Sequence, residues 1–283
     1  MKTTHLVVII LSLIWGSTWL AIKVGLGHMS PFYFAALRFV IASAILLPFA
    51  LRRGKLNVGL SPFMILVTGL LLIPVPYGLA YWGARFISSG LTAVLFSSLP
   101  IFVAVFSMWL LPNEKLSPLG AAGLCLGIAG IGVIYSDDLA VSGLLSSAGV
   151  ITILAGTVIS AAGIVLVKKN ASSYDPIALC TCHFLLGAVI LLPLAMIFED
   201  WSAVEFNLPS VLSLFYLALF GSGLAFALYY WLLKKMDVAK ASLLVYVTPV
   251  IAIYLGWAIL DEVITLQIFL GTVLVLGGIK LAS

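Results

Sequence analysis

The chain has 283 residues, of which 63% are hydrophobic and only 8% charged, against roughly 45–50% and about 25% in soluble domains. So few ionisable groups cannot cover a water-facing surface, which excludes a soluble globular protein. The formal charge of +4 is spread without a basic tract, which excludes a nucleic-acid-binding surface.

A bilayer-crossing helix takes about 20 mainly apolar residues. Ten such segments follow one another, at 6–26, 31–51, 62–84, 87–111, 117–135, 143–167, 177–198, 209–231, 237–260 and 265–282. The first imitates a signal peptide after Lys2. It is long for one, however, and lacks a small-x-small cleavage site, so it is read as retained. It carries Trp15, Ser17 and Trp19. The second carries Arg38. An Arg near a helix centre costs roughly 2.5–3.5 kcal/mol on insertion scales, so a compensating arrangement is expected. Arg38 either meets a substrate carboxylate or an outer gate, or it reaches the interface or backbone carbonyls at a bend. The structural alternative is favoured.

The third span holds Pro74, Pro76, Tyr77, Tyr81 and Trp82. Proline removes a backbone donor, and in lipid the freed carbonyls need protein or water partners. The stretch should therefore face a cavity or packed neighbours. Tyr77 and Tyr81 are four apart and share a face. They can stack on a bound molecule while offering hydroxyls, although Tyr81 and Trp82 fit an interfacial belt equally well. The fourth and ninth spans carry Pro100 and Pro249 mid-span, preceded by Ser97-Ser98 and by Tyr246 and Thr248. Those hydroxyls either satisfy freed carbonyls or face a substrate at the midplane. Pro74, Pro76, Pro100 and Pro249 are the expected hinges.

The fifth and tenth spans are rich in glycine. Their GxxxG pair, Gly123 and Gly127, is read as internal packing rather than a dimer seam. Thr157 and Ser160 lie in the sixth span, and Cys180, Cys182 and His183 in the seventh. The cysteines, with Cys125, are read as small apolar fillers. His183 can change charge near neutral pH. It is either a hydrogen-bonded structural group, the favoured reading, or a proton carrier. Glu114 and Glu262 end helices beside loops. No Asp or Glu lies deep in a span, which disfavours cationic cargo. Arg38 and Lys23 are too few for phosphorylated cargo. Neutral or zwitterionic cargo is expected. No HExxH, GxxxxGK[ST] or zinc-like spacing occurs, so no cofactor, no metal and no ATP hydrolysis are expected.

Counting from a cytoplasmic N-terminus, 11 of the 14 basic residues fall on one side, including Lys2, Arg52, Lys115, Lys168, Lys234 and Lys280. The positive-inside rule makes that side, with both termini, cytoplasmic. Sliding the chain on itself exposes a repeat. At an offset of 145, Lys23 meets Lys168, Pro31 meets Pro176, and Ile45 to Pro48 meets Ile190 to Pro193. At an offset of 149, Tyr81 meets Tyr230, Trp82 meets Trp231 and Pro100 meets Pro249. Two units follow, 1–138 and 139–283. Five spans each force the second to enter from the opposite face. The expected fold class is an all-α integral membrane protein of ten transmembrane helices arranged as two inverted five-helix repeats, an architecture associated with secondary transporters.

The stretch Ile14-Trp15-Gly16-Ser17 through Lys23, Pro31 and Leu37-Arg38-Phe39 resembles the opening of the EamA family of the drug/metabolite transporter superfamily. So do Ser88 to Glu114 and Val238 to Glu262, each with its central Pro and terminal Glu. The resemblance spans nearly the whole chain. It implies residence in a bacterial inner membrane and export of small metabolites, amino acids (aromatic ones included) or related compounds. Alternating access would operate around a central cavity, and a multidrug or nucleotide-sugar carrier is the alternative. The resemblance places the helices of Trp15, Ser17, Trp19, Thr157 and Ser160 around that cavity. Arg38, Tyr77, Tyr81, Ser97, Ser98 and Tyr246 complete the candidate substrate contacts. A membrane enzyme would need clustered acid, base or metal groups, which are missing. A receptor subunit would need larger loops. The expected partners are a small-molecule substrate and membrane lipids, with no nucleic acid; a monomer suffices.

Overall fold

The computed structural model describes residues 2–52, 58–86, 92, 95–111, 117–134, 144–170, 172–260 and 265–282. Glu114, Glu262 and the side chains of Trp19 and Lys23 lie outside the described set. The elements are α1 (Lys2–Leu26), α2 (Pro31–Arg52), α3 (Pro62–Leu72), α4 (Pro74–Gly83), α5 (Leu99–Leu110), α6 (Pro118–Ile134) and α7 (Leu144–Lys169). Then come α8 (Pro176–Phe198), α9 (Leu208–Tyr216), a π-helical segment (Leu217–Leu224), α10 (Ala225–Leu233), α11 (Val238–Ser242), α12 (Leu244–Leu260) and α13 (Leu266–Ala282). No strand occurs among the described residues.

Among the described residues, six helical stretches are long and apolar enough to cross a membrane: Thr3–Leu26, Pro31–Arg52, Pro62–Gly83, Ser147–Lys169, Pro176–Phe198 and Leu208–Leu233. Leu99–Leu110, Pro118–Ile134, Val238–Ile251 and Leu266–Leu281 are shorter apolar helices. Large apolar side chains crowd the outside, with Trp109 75%, Ile197 72% and Phe63 70% exposed. In water such a surface would aggregate; in a bilayer it is the solvated one.

Helix starts carry Pro with a polar cap. Ser61 accepts from Met64 N, and Asn207 forms a reciprocal box with Ser210. Asp175 accepts from Ile177 N and Ala178 N at the start of α8. At the start of α2 the matching groups, Phe32 N and Tyr33 N, are bound at 2.9 Å by Glu199 from the far end of α8. A carboxylate at each N-terminus also complements the helix dipole.

Regularity fails where proline or a bulge removes the i to i−4 ladder. Ile73 separates α3 from α4, with Pro74 opening the latter. Pro100 begins α5 behind a turn at Ser97–Ser98 rather than kinking a continuous helix. Leu243 separates α11 from α12, ahead of Pro249, which lies inside α12. The π-helical segment, the i to i+5 form, interrupts the helix from Leu208 to Leu233.

Packing runs between chain halves. α2 lies along α8 and α6 along α13; α4 and α5 pack on α7, while α10 and α12 pack on α1. The α6–α13 seam is backbone against backbone. A Cβ on Gly130 would meet Gly271 O at 2.7 Å, and one on Gly278 would meet Gly123 O at 2.6 Å. The glycine stripe thus packs inside the chain, which is how small residues let membrane helices approach. Tyr246 fills the same region, its hydroxyl donating to Leu124 O. Gly278→Val should therefore destabilise the protein by about 1–3 kcal/mol through overpacking, read as a lower melting temperature in detergent. Gly132→Ala, at a position with open space, should leave it unchanged.

Candidate functional site

A cavity of about 160 Å3 lies between the halves. Its wall takes Trp15, Thr18 and Ile22 from α1, Arg38 from α2, Pro76, Tyr77, Ala80 and Tyr81 from α4, and Ser160 and Ile164 from α7. Phe226, Tyr229 and Tyr230 of α10 close another side, with Phe96, Leu99, Val245 and Thr248 beside them. Positions matched by the sequence offset meet here as pairs: Trp15 with Ser160, Tyr77 with Phe226, Ala80 with Tyr229, Tyr81 with Tyr230, Phe96 with Val245 and Leu99 with Thr248.

Aromatic rings interlock around the wall. Trp15 lies 5.2 Å from Tyr229 and 5.7 Å from Phe226, ring centre to ring centre, and its Nε1 donates to Gly221 O. Tyr77 packs edge-on to Phe39 at 5.0 Å. Such contacts fix large side chains with little remaining rotamer freedom.

Arg38 is 2% exposed. Among the described residues it reaches no backbone carbonyl, and it is buried rather than at an interface. Its Nε donates to Ser222 Oγ at 2.7 Å and its Nη1 to Tyr81 Oη at 3.2 Å, while the guanidinium lies 5.4 Å from the Tyr77 ring centre. His183, at the offset-matched position in α8, makes the matching link to Tyr230 Oη at 2.8 Å. Its other ring nitrogen lies 3.0 Å from Thr68 Oγ1. The imidazole is fully buried behind the wall.

The other candidates divide by what their hydroxyls do. Ser160 is on the wall and makes no hydrogen bond among the described residues. Thr157 donates to Ile153 O and Ser98 to Leu95 O, each within its own stretch of chain. Ser17 donates to carbonyls of α1 and touches Tyr216 Oη. Ser97 and Tyr246 are buried off the wall. Of the prolines, Pro76 is on the wall, whereas Pro74, Pro100 and Pro249 are not. Sequence reasoning missed Thr18, Phe226, Tyr229 and Tyr230. The repeat offset applied to Tyr77 and Tyr81 would have found two of them.

The ends of α7 and α10 are tied together and to the loop before α8. Lys168 Nζ donates to Leu233 O and Met236 O, and Lys234 Nζ donates to Tyr174 O. Tyr174 in turn donates to Tyr230 O, and burial pushes its phenol well above the ordinary range, so it stays a donor. Leu26 and Ala84 also line a second depression, formed by Gly27 to Pro31, Arg85, Phe198 to Asp200 and Glu205. Here the Asp200 carboxyl is held below the usual range by the Ser202 N–H it accepts.

The family model described as the EamA-like transporter family matches residues 2–136 and again 147–283. An "Uncharacterized transporter YoaV" of Bacillus subtilis is 33% identical over 96% of this chain and 94% of its own length. An "Uncharacterized inner membrane transporter YedA" of Escherichia coli is 32% identical over 90% and 82%. A solved crystal structure, 23% identical, superimposes with a TM-score of 0.86 over 99% of this chain and 97% of that one, so the two share a fold.

Tyr229 Oη is buried without a hydrogen-bond partner. An unmet buried hydroxyl costs about 1–3 kcal/mol. Tyr229→Phe should therefore raise the melting temperature of the ligand-free protein, whereas Tyr230→Phe, which strips the partner from His183, should lower it.

Proposed function

The chain belongs to the EamA-like transporter family, a membrane transporter of small metabolites, and from that premise we propose that it is a secondary exporter of amino acids or related compounds. Ten spans form two inverted five-helix repeats, 1–138 and 139–283, and the halves rock about the central cavity to open it to each side in turn. Both termini lie in the cytoplasm, beneath the inner membrane of a bacterium.

The observation that carries this reading is the cavity itself, which shares Leu26 and Ala84 with the second depression, while Lys168 and Lys234 tie the ends of α7 and α10 to their neighbours; that tie is read as the seal of one end. A chamber between two halves with one closed end is what alternating access requires. Three further observations support it. The family model matches twice in succession. Helix contacts come in exchangeable pairs: α4 on α7 mirrors α10 on α1, and α5 on α7 mirrors α12 on α1. The six wall pairs repeat that exchange at the level of side chains. By the charge asymmetry the sealed end, near Lys168 and Lys234, is cytoplasmic, so this is the outward-open state.

His183, bridged between Thr68 and Tyr230, is assigned a structural role. Among the described residues no group of three or more His, Cys, Asp or Glu could hold a metal ion. A multidrug or nucleotide-sugar carrier fits less well. The described wall offers no carboxylate for a cationic drug and one cation for a diphosphate.

Saturable counterflow of labelled amino acids in proteoliposomes is the expected result, and its absence across a broad metabolite panel would sink the exporter reading. Lys168→Gln should loosen the inner seal, read as faster labelling of cysteines introduced near Met236 from the cytoplasmic side. His183→Ala should lower stability yet leave the response of flux to a pH gradient intact.

A further inference from the structure

Arg38 carries the one permanent charge on the described cavity wall, and nothing on that wall balances it. No Asp or Glu lines the cavity, and among the described residues the one ion pair is His28 with Glu205 in the second depression. The partners Arg38 does have are neutral. Ser222 and Tyr81 take one N–H each from Nε and Nη1, and the Tyr77 and Phe39 rings lie 5.4 and 5.7 Å from its carbon. The Tyr77 hydroxyl also interacts with the guanidinium, and it too is uncharged. A guanidinium held this way is fixed in position yet still short of a counter-ion, the condition in which a planar bidentate acceptor gains most.

Buried as it is, Arg38 still belongs to the cavity wall. The π-helical segment brings Ser222 to Nε and sets Gly221 beside Nη2, where a Cβ would come within 3.3 Å. The rest of the wall is rings and aliphatic carbon, with hydroxyls from Ser160, Thr18 and Thr248. One cation suits a carboxylate rather than a phosphoryl group of two or more charges. The volume, about 160 Å3, is close to that of an engineered cavity of roughly 150 Å3 that admits benzene.

We propose that the Arg38 guanidinium is the receptor for a carboxylate on the cargo, and that the site takes small organic acids with one ring or a branched apolar body, whether or not they carry an amino group. This rests on the transporter reading and narrows the expected neutral or zwitterionic cargo to molecules whose recognised charge is negative.

Four probes with the same phenyl body isolate the charged end: 3-phenylpropanoate, phenylalanine, 2-phenylethanol and 2-phenylethylamine. Binding to the detergent-solubilised full chain is followed by calorimetry. The two carboxylates should bind at least tenfold more tightly than the alcohol and the amine. Charge-assisted hydrogen bonds are worth enough for Arg38→Gln to weaken 3-phenylpropanoate roughly tenfold to a hundredfold, bringing it level with the alcohol. Arg38→Lys, which keeps the charge and loses the fork, should fall between. The wild-type series needs no variant to fold. Equal affinity for the amine or the alcohol, or no binding by either carboxylate, overturns the proposal. So does an Arg38→Gln protein of normal gel-filtration profile that keeps the acid preference. Saturable counterflow of another solute, uncompeted by 3-phenylpropanoate, defeats this inference alone. Tight acid binding without flux defeats the transporter reading alone.

Discussion

Lipid supplies neither hydrogen-bond partners nor counter-ions, so each polar atom at membrane depth must be answered from within the chain. Most hydroxyls here comply by folding back onto their own helices: Ser43 to Val40 O, Thr68 to Met64 O, Ser107 to Ala104 O, Thr248 to Val245 O and Thr272 to Ile268 O. Among the described residues, three exceptions sit around one chamber. Ser160 has no partner among the described residues, Tyr229 Oη is orphaned, and Arg38 lacks a counter-ion.

The halves answer this constraint with similar parts and one difference. Both place a nitrogen-bearing side chain from the second helix of the unit against a tyrosine hydroxyl of the third: Arg38 to Tyr81 in one, His183 to Tyr230 in the other. The arginine is on the cavity wall, and the histidine is withdrawn behind it, tied also to Thr68. The helix starts diverge in the same manner. Asp175 satisfies the first amides of α8 locally, whereas those of α2 borrow Glu199 from the other half. The two arrangements share a geometry and differ in the group that supplies it.

Hydropathy made the long helices legible, because lipid demands unbroken apolar runs and the sequence contains them. The breaks were less so. Pro74 announced the interruption at Ile73, but Pro100 marks a helix start rather than a kink, and nothing but Gly-Ser-Gly at 221–223 hints at a π-helix. On the cavity wall, Tyr77 and Tyr81 follow from helical spacing and Arg38 stands out by burial cost, although its structural reading was favoured, while Trp15 and Ser160 were indicated only by the family resemblance. The place of Tyr246 was not legible, since the same residue type serves a packing seam against Gly127 equally well. Tyr229 and Phe226 sit in a run of aromatics, Phe226 to Trp231, whose inward face only the structure selects.

The π-helical segment carries one residue more than a regular helix would need over the same rise. Losing a single amino acid there would restore ordinary α geometry and swing everything beyond it by roughly 100° about the helix axis. Tyr229 and Tyr230 would turn off the wall together, without any change of side-chain identity. Chain length at this point is therefore itself a determinant of which side chains the chamber presents.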